Sequence, residues 1–390
     1  MRFTQAQFTN IIEGILTKED GLNTILKTTL EALMKIERSE HQKKTLDYGN
    51  GYRYPKVFGH GKMIELKVPR TREGFYPVIL GLLKDQQQEA HNLAFELYKS
   101  GLTTEQVGGI FDQLYGKYYG TSQVSRMFDD AREEINSWLN RPLDDYYPII
   151  CIDATFIPTR RVDHVTKEAY YTVLGVRSDC TREVLGVFNF PTEGNTQWVS
   201  IFEQLRARGV QKIDLVVSDA LTAIEDAVWK VYGNSQVQLC TIHLLRNFMK
   251  EVKPKHKKEL AIDFNEVFRT DDRRDSKQEA RSRFTAFCDK WAKYYPYFKK
   301  QKENPRTELY FTYIGYDYRI RSMIKTTNWI ERLNRDFKRT TRMRGALPSP
   351  EATLLLLGAV ARDKKAYHRK VPKLAYEKNK FKWTEQDYKG

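Results

Sequence analysis

A short apolar stretch with one acid at its centre constrains the fold most. Residues 149–157 read IICIDATFI, and Pro148 and Pro158 bracket them. Eight of the nine residues are apolar or Thr, and β-branched residues dominate, which predicts a strand buried on both faces of a sheet. A carboxylate at Asp153 loses its water there, so it must be neutralised, paired or bound to a cation. A nearby Arg, a backbone amide or a divalent metal ion could each satisfy it.

The composition indicates a polyanionic partner. The chain has 390 residues, enough for two or three domains, and a formal net charge of +15, which attracts nucleic acid or acidic membranes. It shows no apolar run of membrane-spanning length and no signal-peptide core, so we expect a cytoplasmic, nucleoid-associated protein without a membrane partner. The four cysteines form no CxxC pair, so neither a disulfide framework nor a four-cysteine zinc site is expected.

The first stretch of the chain, residues 1–84, is predicted to combine helices with a β segment. The periodicity predicts helices over 4–15 and 21–38 and extended chain over 57–83. Within the extended part, VPRTREGFYP (68–77) places Arg70 and Arg72 beside aromatic residues. That loop fits a solvated hairpin and also fits a DNA contact.

Residues 85–142 are predicted to form a domain of three helices. The first runs through about Tyr98, the second begins at Thr103 with Gln106 at a capping-box spacing, and the third runs from near residue 122 to 139. The arrangement resembles a helix-turn-helix, although any three-helix bundle could give it. As a helix-turn-helix, its last helix would present these side chains to a major groove: Ser122, Gln123 and Arg126.

From residue 143 the periodicity is that of alternating strands and helices. Five strands are predicted, over 149–157, 168–177, 183–190, 213–220 and 236–240, with helices after the third and the fourth. This β-β-β-α-β-α-β order, with aspartates on the first and fourth strands, is the ribonuclease-H-like arrangement, a mixed five-stranded sheet with helices. If the first and fourth strands are neighbours, Asp153 and Asp219 lie side by side at the strand ends.

A basic helix is predicted within KTTNWIERLNRDFKRTTRMRG (325–345). At about 100° per residue, Ile330, Leu333 and Phe337 form an apolar stripe, while Glu331 leads a second face. The cations on and beside that second face are Arg332, Arg335, Lys338, Arg339 and Arg342. A solvated face with an i,i+4 ion pair is one explanation. The excess of seven Lys or Arg over two acids favours a face that binds DNA phosphates.

Taken together, these segments resemble the Mutator-like transposases of bacterial insertion sequences, a branch of the DDE transposases. The resemblance runs from VPRTREGFYP through RPLDDYYPIICIDATF, VVSDA and VQLCTIHLLRN to TTNWIERLNRDFKRTTRMRG. It implies that Asp153, Asp219 and Glu331 are the catalytic, metal-binding triad. One departure is Ala220, where the family usually has Gly after the second aspartate; it adds a methyl group and leaves the ligand in place.

The same resemblance implies a domain organisation. A ribonuclease-H-like catalytic core would be interrupted by an all-helical insertion, preceded by mainly helical DNA-binding domains and followed by a C-terminal helix and basic tail. The corresponding ranges are 143–243 with 305–345 for the core, 244–304 for the insertion and 346–390 for the C-terminal part. The insertion could stack the aromatic cluster WAKYYPYF (291–298) on distorted bases, or it could be a helical lid with a wet surface.

Three carboxylates suit oxygen-preferring Mg²⁺ or Mn²⁺, with two ions per active site, and neither zinc nor ATP is expected. Two such ions about 3.5–4 Å apart can activate the attacking oxygen and stabilise the leaving one. The resemblance therefore predicts a transposase that binds terminal inverted repeats, cuts DNA and joins it to a target, as a homodimer or larger assembly. The alternative is a non-catalytic DNA-binding regulator derived from a transposase.

A C-x-x-H motif, Cys240 and His243, follows the fifth predicted strand. Alone it looks like half of a zinc site, but no convincing second half is present. The family carries a matching motif, and the resemblance places it near the catalytic pocket in a supporting role. Cys240 fits almost as well as an ordinary buried core residue.

Overall fold

A computed structural model describes residues 20–59, 62–115, 119–190, 195–221 and 223–371, together with residues 9 and 13. The chain divides into two units, Met1–Glu133 and Glu134–Gly390. The finer domain bounds expected from the sequence stay predictions. None of the described helices is both long and apolar enough to cross a membrane.

The first unit packs small antiparallel sheets against helices. Its elements are α1 (Gly21–Lys44), β1 (Gly49–Arg53), β2 (Lys56–Phe58), β3 (Met63–Glu65), β4 (Val68–Thr71), α2 (Val78–Lys99), α3 (Thr104–Tyr115), α4 (Thr121–Met127) and α5 (Asp129–Leu139), which continues into the second unit. Strand β1 pairs with β4 and β2 pairs with β3. A core that includes Met34, Leu66 and Leu80 holds the strands against α1 and α2. The helix predicted over 4–15 falls outside the described residues, apart from residues 9 and 13.

The start of α2 differs from the sequence-based expectation. Extended chain was predicted up to residue 83, but the helix begins at Val78, so that prediction is wrong. The reason is a tertiary cap: the carboxylate of Glu37, on α1, accepts the backbone N–H of Val78 at 2.8 Å and that of Ile79 at 3.3 Å. These free N–H groups at a helix start need an acceptor, and here it comes from 41 residues away.

The segment predicted as one helix over 122–139 is two helices. Phe128, with φ −90° and ψ 2°, separates α4 from α5. Its buried ring packs on Phe95 and Tyr98, with centroid distances of 5.5 and 4.8 Å, and this contact stabilises the break. The capping box predicted at Thr103 is present, since Gln106 N–H donates to Thr103 Oγ1 at 3.2 Å and Thr103 N–H donates to Gln106 Oε1 at 2.9 Å.

The second unit is built on a five-stranded mixed sheet, as predicted. Its strands are β5 (Tyr146–Arg160), β6 (Val165–Val176), β7 (Arg182–Asn189), β8 (Lys212–Ser218) and β9 (Gln236–Leu239), in the order β7-β6-β5-β8-β9. Strand β6 is antiparallel to β5 and β7, while β5, β8 and β9 are parallel. Helix α6 (Asn195–Ala207) connects β7 to β8, and α7 (Ile224–Tyr232) connects β8 to β9. The first and fourth of these strands along the chain, β5 and β8, are therefore neighbours in the sheet.

Strand β5 is longer than predicted and only half of it is buried on both faces. Residues 147–153 are buried, and exposed residues then alternate with buried or half-buried ones, so that Phe156 is 54% exposed. The change occurs because β8 accompanies β5 only as far as the pair Ile152–Ser218, whereas β6 continues to Arg160. Burial on both faces over the whole of 149–157 was therefore wrong for its second half.

Residues 240–327, all of them described, form helices joined by loops and contain no strand. They contain α8 (Thr241–Glu251), α9 (Lys257–Val267), α10 (Lys277–Ala292), α11 (Tyr297–Glu303), α12 (Tyr318–Ile324) and 3-10 segments at Pro254–His256 and Pro305–Gly315. Two members of the aromatic cluster at 291–298 belong to the core: Phe298 is buried against Phe248 and Phe287, and Trp291 is buried against Phe298, whereas Tyr294 is 65% exposed. Stacking of Trp291 or Phe298 on DNA bases is therefore excluded in this conformation.

Two helices complete the described chain. They are α13 (Asn328–Thr341), which carries Glu331, and α14 (Pro350–Arg362), followed by a 3-10 segment at Lys365–His368. Helix α13 packs on β5 through Ile330, Leu333 and Phe337, all fully buried, which confirms the apolar stripe read from the sequence. The basic tail from residue 372 onward lies outside the described residues.

Candidate active site

Two aspartates lie at neighbouring positions where parallel strands β5 and β8 leave their pairing. Asp153 follows Ile152, whose partner on β8 is Ser218, and Asp219 follows that serine. Asp153 is 6% exposed. Its Oδ1 accepts the Ala154 N–H at 3.0 Å and its Oδ2 accepts Asn334 Nδ2–H at 2.8 Å. The sequence argument that neighbouring first and fourth strands bring these aspartates together is confirmed.

Helix α13 brings the third carboxylate. Glu331 stands in its first turn, and Asn334, one turn further on, is the residue that holds Asp153. Because the apolar stripe of α13 packs on β5, it fixes the orientation of the helix and therefore the direction in which Glu331 and Asn334 project. Sequence reasoning missed Asn334, although its i+3 spacing from Glu331 places it on a neighbouring part of the helix surface.

The carboxyl of Asp153 is electrostatically strained. Burial, together with the negative charges of Asp219 and Glu331, raises its pKa to about 7, although the hydrogen bonds from Ala154 and Asn334 act to lower it. Near neutral pH this group is therefore divided between its neutral and charged forms. A cation close to the three acids would favour the charged form.

His243 and Arg246, on successive turns of α8, contact the same acids. His243 Nδ1 lies 3.6 Å from Asp219 Oδ1, and its Nε2 lies 3.1 Å from Arg246 Nη1. The same Nη1 is 2.8 Å from Glu331 Oε1. Burial lowers the pKa of His243, and the charge of Asp219 opposes that effect. Sequence reasoning missed Arg246, for which the only signal was its position three residues after His243.

The C-x-x-H motif is divided between the cleft and the core. His243 lines the cleft, whereas Cys240 is 1% exposed and its Sγ accepts the Thr327 hydroxyl at 3.4 Å. Burial raises the pKa of the Cys240 thiol. The next residue, Thr241, donates its N–H and its hydroxyl to the Lys325 carbonyl, at 3.0 and 3.2 Å. The motif thus joins the start of α8 to the start of α13 and so positions Glu331.

A cleft of about 460 Å³ combines the acids with cations. Asp153, Glu331 and His243 line it together with four cationic side chains, Arg246, Arg332, Arg335 and Lys338. Of the other two cations predicted to bind DNA on this helix surface, Arg339 is exposed on α13 and Arg342 is exposed just after it. Three of these cations, Arg332, Arg335 and Lys338, lie on α13 and form one side of the cleft, here called the basic wall, next to the acids.

Over the described ranges, no three His, Cys, Asp or Glu side chains lie close enough together to hold one ion. Glu331 forms an ion pair with Arg246, and Asp153 accepts a hydrogen bond from Asn334, so each of these acids already has a partner. The residue types themselves, three carboxylates, fit the oxygen-preferring ions Mg²⁺ and Mn²⁺.

The other predicted DNA contacts lie in the first unit and are accessible. Ser122, Gln123 and Arg126 are exposed on α4, whose buried face carries Val124 and Met127. Arg70 is exposed on β4, and Arg72 is exposed in the turn that follows.

Acids lie beside arginines and lysines in this cleft, an arrangement that suits a class of protein acting on a polyanion. A profile described as "Transposase, Mutator family" matches residues 4–370. The chain therefore belongs to the Mutator family of transposases, as the sequence motifs predicted.

Individual relatives match over most of their length. The transposase for insertion sequence element IS905 of Lactococcus lactis subsp. lactis (strain IL1403) is 27% identical over 361 residues, 89% of this chain and 90% of that protein. The transposase for IS256 in transposon Tn4001 of Staphylococcus aureus is 29% identical over 376 residues, 92% and 95% of the two chains. Among solved structures, the Drosophila P element transposase strand transfer complex is only distantly similar: the match covers 72% of this chain and 93% of that chain, with a TM-score of 0.33 and 9% identity.

Proposed function

We propose that this protein is a DDE transposase that binds the terminal inverted repeats of its insertion sequence and catalyses metal-dependent DNA strand cleavage and strand transfer. The observation that carries the proposal is the convergence of three acids: Asp153 and Asp219 directly follow paired residues of β5 and β8, and Glu331 lines the same cleft as Asp153. The charges of Asp219 and Glu331 both raise the pKa of Asp153. A structural role needs no such arrangement, which costs free energy unless a cation relieves it. The strand order β7-β6-β5-β8-β9, with β8 and β9 parallel to β5, supports a ribonuclease-H-like core.

Asp153, Asp219 and Glu331 would hold two Mg²⁺ or Mn²⁺ ions. Bound there, such ions supply activation of the attacking oxygen and charge stabilisation at phosphorus. Asn334 orients Asp153 through its 2.8 Å hydrogen bond, and Arg246 holds Glu331 in the absence of a competing cation. Water as the attacking group gives cleavage, and a DNA 3′-hydroxyl gives transfer without ATP, since one phosphodiester replaces another.

The partners follow from the charges. The basic wall of Arg332, Arg335 and Lys338 suits a phosphate backbone laid across the acids, with Arg339 and Arg342 extending the contact along the same helix surface. The side chains of α4, Ser122, Gln123 and Arg126, would contact the terminal repeats, as would Arg70 and Arg72. A homodimer or larger assembly on two DNA ends, acting in the cytoplasm at the nucleoid, is part of the proposal.

The proposal is tested with a plasmid that carries the ends of the protein's own insertion sequence. Asp153→Asn, Asp219→Asn and Glu331→Gln are each expected to lower the rate of Mg²⁺-dependent strand cleavage at least about 10³-fold while the protein still retards end-bearing DNA on a gel. Asp226→Asn is the matched control, because that aspartate is exposed on α7.

Full cleavage by the Asp153→Asn protein would contradict the triad assignment. Retardation without metal-dependent cleavage by the unaltered protein would instead favour the non-catalytic DNA-binding regulator.

A further inference from the structure

Four cations around the two-stranded sheet of β1 and β4, here called the β1–β4 ribbon, rest on tyrosine rings. Arg38 and Lys67 both lie over Tyr52, at 5.4 and 4.4 Å from the ring centroid. Two further pairs complete the set: Arg53 over Tyr76 at 5.4 Å and Arg72 over Tyr48 at 6.0 Å. These four side chains, Arg38, Arg53, Lys67 and Arg72, are the ribbon cations.

Among the described residues, the charges of the ribbon cations are not balanced by ion pairs with carboxylates. Three acids of this unit have other partners: Glu31 accepts the Lys67 backbone N–H at 2.8 Å, Glu37 caps α2, and buried Asp47 pairs with His41 at 3.2 Å. Elsewhere in the unit Lys43 pairs with Glu40, and Lys62 pairs with Asp20.

The outer strand of the ribbon is open to a large partner. Every residue of β1 is exposed except half-buried Tyr52, while β4 is mostly buried behind it. The strand begins Gly49-Asn50-Gly51, and a Cβ placed on Gly51 would meet nothing within 4 Å. Glycines in a strand allow another backbone to approach closely. A two-stranded β-ribbon is also one of the shapes that the major groove of B-DNA admits.

Stacking on tyrosine prepares the cations for phosphate. A guanidinium over a ring loses rotamer freedom before binding, so less entropy is lost when it meets an anion. It also keeps its N–H groups available, which a carboxylate partner would occupy. A protein surface that only needed solubility would gain nothing from holding four cations apart from the acids beside them.

We propose that the β1–β4 ribbon is a duplex-DNA contact surface in which the four ribbon cations bind backbone phosphates. The inference rests on the proposed function only in taking DNA as the partner. It adds Arg38, Arg53 and Lys67 to the contacts expected from sequence, and it assigns Arg72 to phosphate binding. The other occupant that an exposed edge strand could accept is a second copy of this chain.

The test measures the DNA affinity of the full chain, with an end-bearing duplex, as a function of KCl concentration. Each phosphate contact contributes about 0.9 to the slope of log K against log [salt], so the double variant Arg53→Gln/Lys67→Gln should reduce the slope by about 1.8. At about 0.15 M salt this corresponds to a loss of affinity of about 30-fold. The control is the double variant Lys43→Gln/Lys62→Gln, which also removes two positive charges, but from lysines that already have acidic partners. It should leave the salt slope unchanged and alter the affinity by no more than about 2-fold.

Folding and charge are separated by a third variant. The single variant Arg53→Lys keeps the positive charge that would bind phosphate, so it should retain the slope of log K against log [salt]. Circular dichroism should show equal helix content in all variants, which excludes unfolding as the cause of a change. An unchanged slope and affinity in the Gln double variant overturns the inference, as does an equal loss in the control pair. A change in sedimentation without a change in DNA affinity overturns it too and assigns the ribbon to a second copy of the chain.

The result is distinguishable from the test of the proposed function. If Asp153→Asn abolishes cleavage while the ribbon variants bind normally, the ribbon inference alone fails. If the ribbon variants lose slope while Asp153→Asn still cleaves, the DNA-contact surface stands and the triad fails.

Discussion

Replacing Asp153 with Asn is expected to stabilise the second unit at alkaline pH when metal ions are removed with EDTA. The variant keeps both hydrogen bonds. Ala154 N–H can still donate to the Asn oxygen, and the new amide can donate to Asn334 Oδ1, which has no hydrogen-bond partner at present, once the Asn334 amide rotates by half a turn. The substitution therefore removes the charge with little other change.

The magnitude follows from the pKa. Raising the pKa of Asp153 from 3.8 to about 7 corresponds to about 4 kcal/mol, at about 1.4 kcal/mol for each tenfold change in proton affinity. Because the folded-state pKa is the higher one, the proton favours the folded protein: that stability is fully present below pH 3.8 and is lost as the pH rises through about 7. Asn mimics the protonated form and does not lose it. Its advantage should grow by about 3 kcal/mol between pH 5 and pH 8.

The assay is urea unfolding at pH 5 and pH 8, followed by tryptophan fluorescence, since Trp198 and Trp291 are buried in the second unit. Asp275→Asn is the matched control. That carboxylate is 1% exposed and accepts two hydrogen bonds from Arg283, at 2.9 and 2.6 Å, so its loss should destabilise the unit by about 1.5–3 kcal/mol. An Asp153→Asn advantage that is equal at both pH values, or a less stable variant at pH 8, would refute the reasoning.

Two further predictions concern Arg246 and Gly108. The variant Arg246→Gln removes the guanidinium that lies 2.8 Å from Glu331 and would compete with a metal ion for that carboxylate. The affinity for Mn²⁺, measured by a titration followed by electron paramagnetic resonance, should rise up to about 5-fold. Weaker binding would show that Arg246 does not compete with the ion. In α3, a Cβ on Gly108 would lie 2.1 Å from the Tyr119 carbonyl oxygen, so Gly108→Ala should cost about 1–3 kcal/mol and lower the thermal unfolding midpoint of the first unit. Its neighbour Gly109 has nothing within 4 Å, so Gly109→Ala should be neutral or stabilising by up to about 1 kcal/mol, and equal effects at the two positions would contradict the geometry.

Local patterns in the sequence were sufficient for the succession of strands and helices along the second unit. The alternation of apolar runs with turn residues predicted the five strands of the second unit. The 3.6-residue period predicted the stripe of Ile330, Leu333 and Phe337 that packs α13 on its sheet. The capping box at Thr103 was predictable because both of its partners lie within one helical turn. These features depend on residues close together in the chain, so a single sequence displays them.

The tertiary structure decided what those patterns could not. Helix α2 begins at Val78 because Glu37, on another helix, caps it. The partners of the acids were equally hidden: Arg246 reaches Glu331 from 85 residues earlier, and Asn334 reaches Asp153 across 181 residues. Each is a contact between side chains far apart in sequence, whose geometry exists only once the sheet has placed the helices. The sequence by itself predicted that Asp153 and Asp219 meet, and its family resemblance pointed to Glu331. The position of α8 directly after β9 and the packing of α13 on β5 determined which neutral and cationic groups hold these acids.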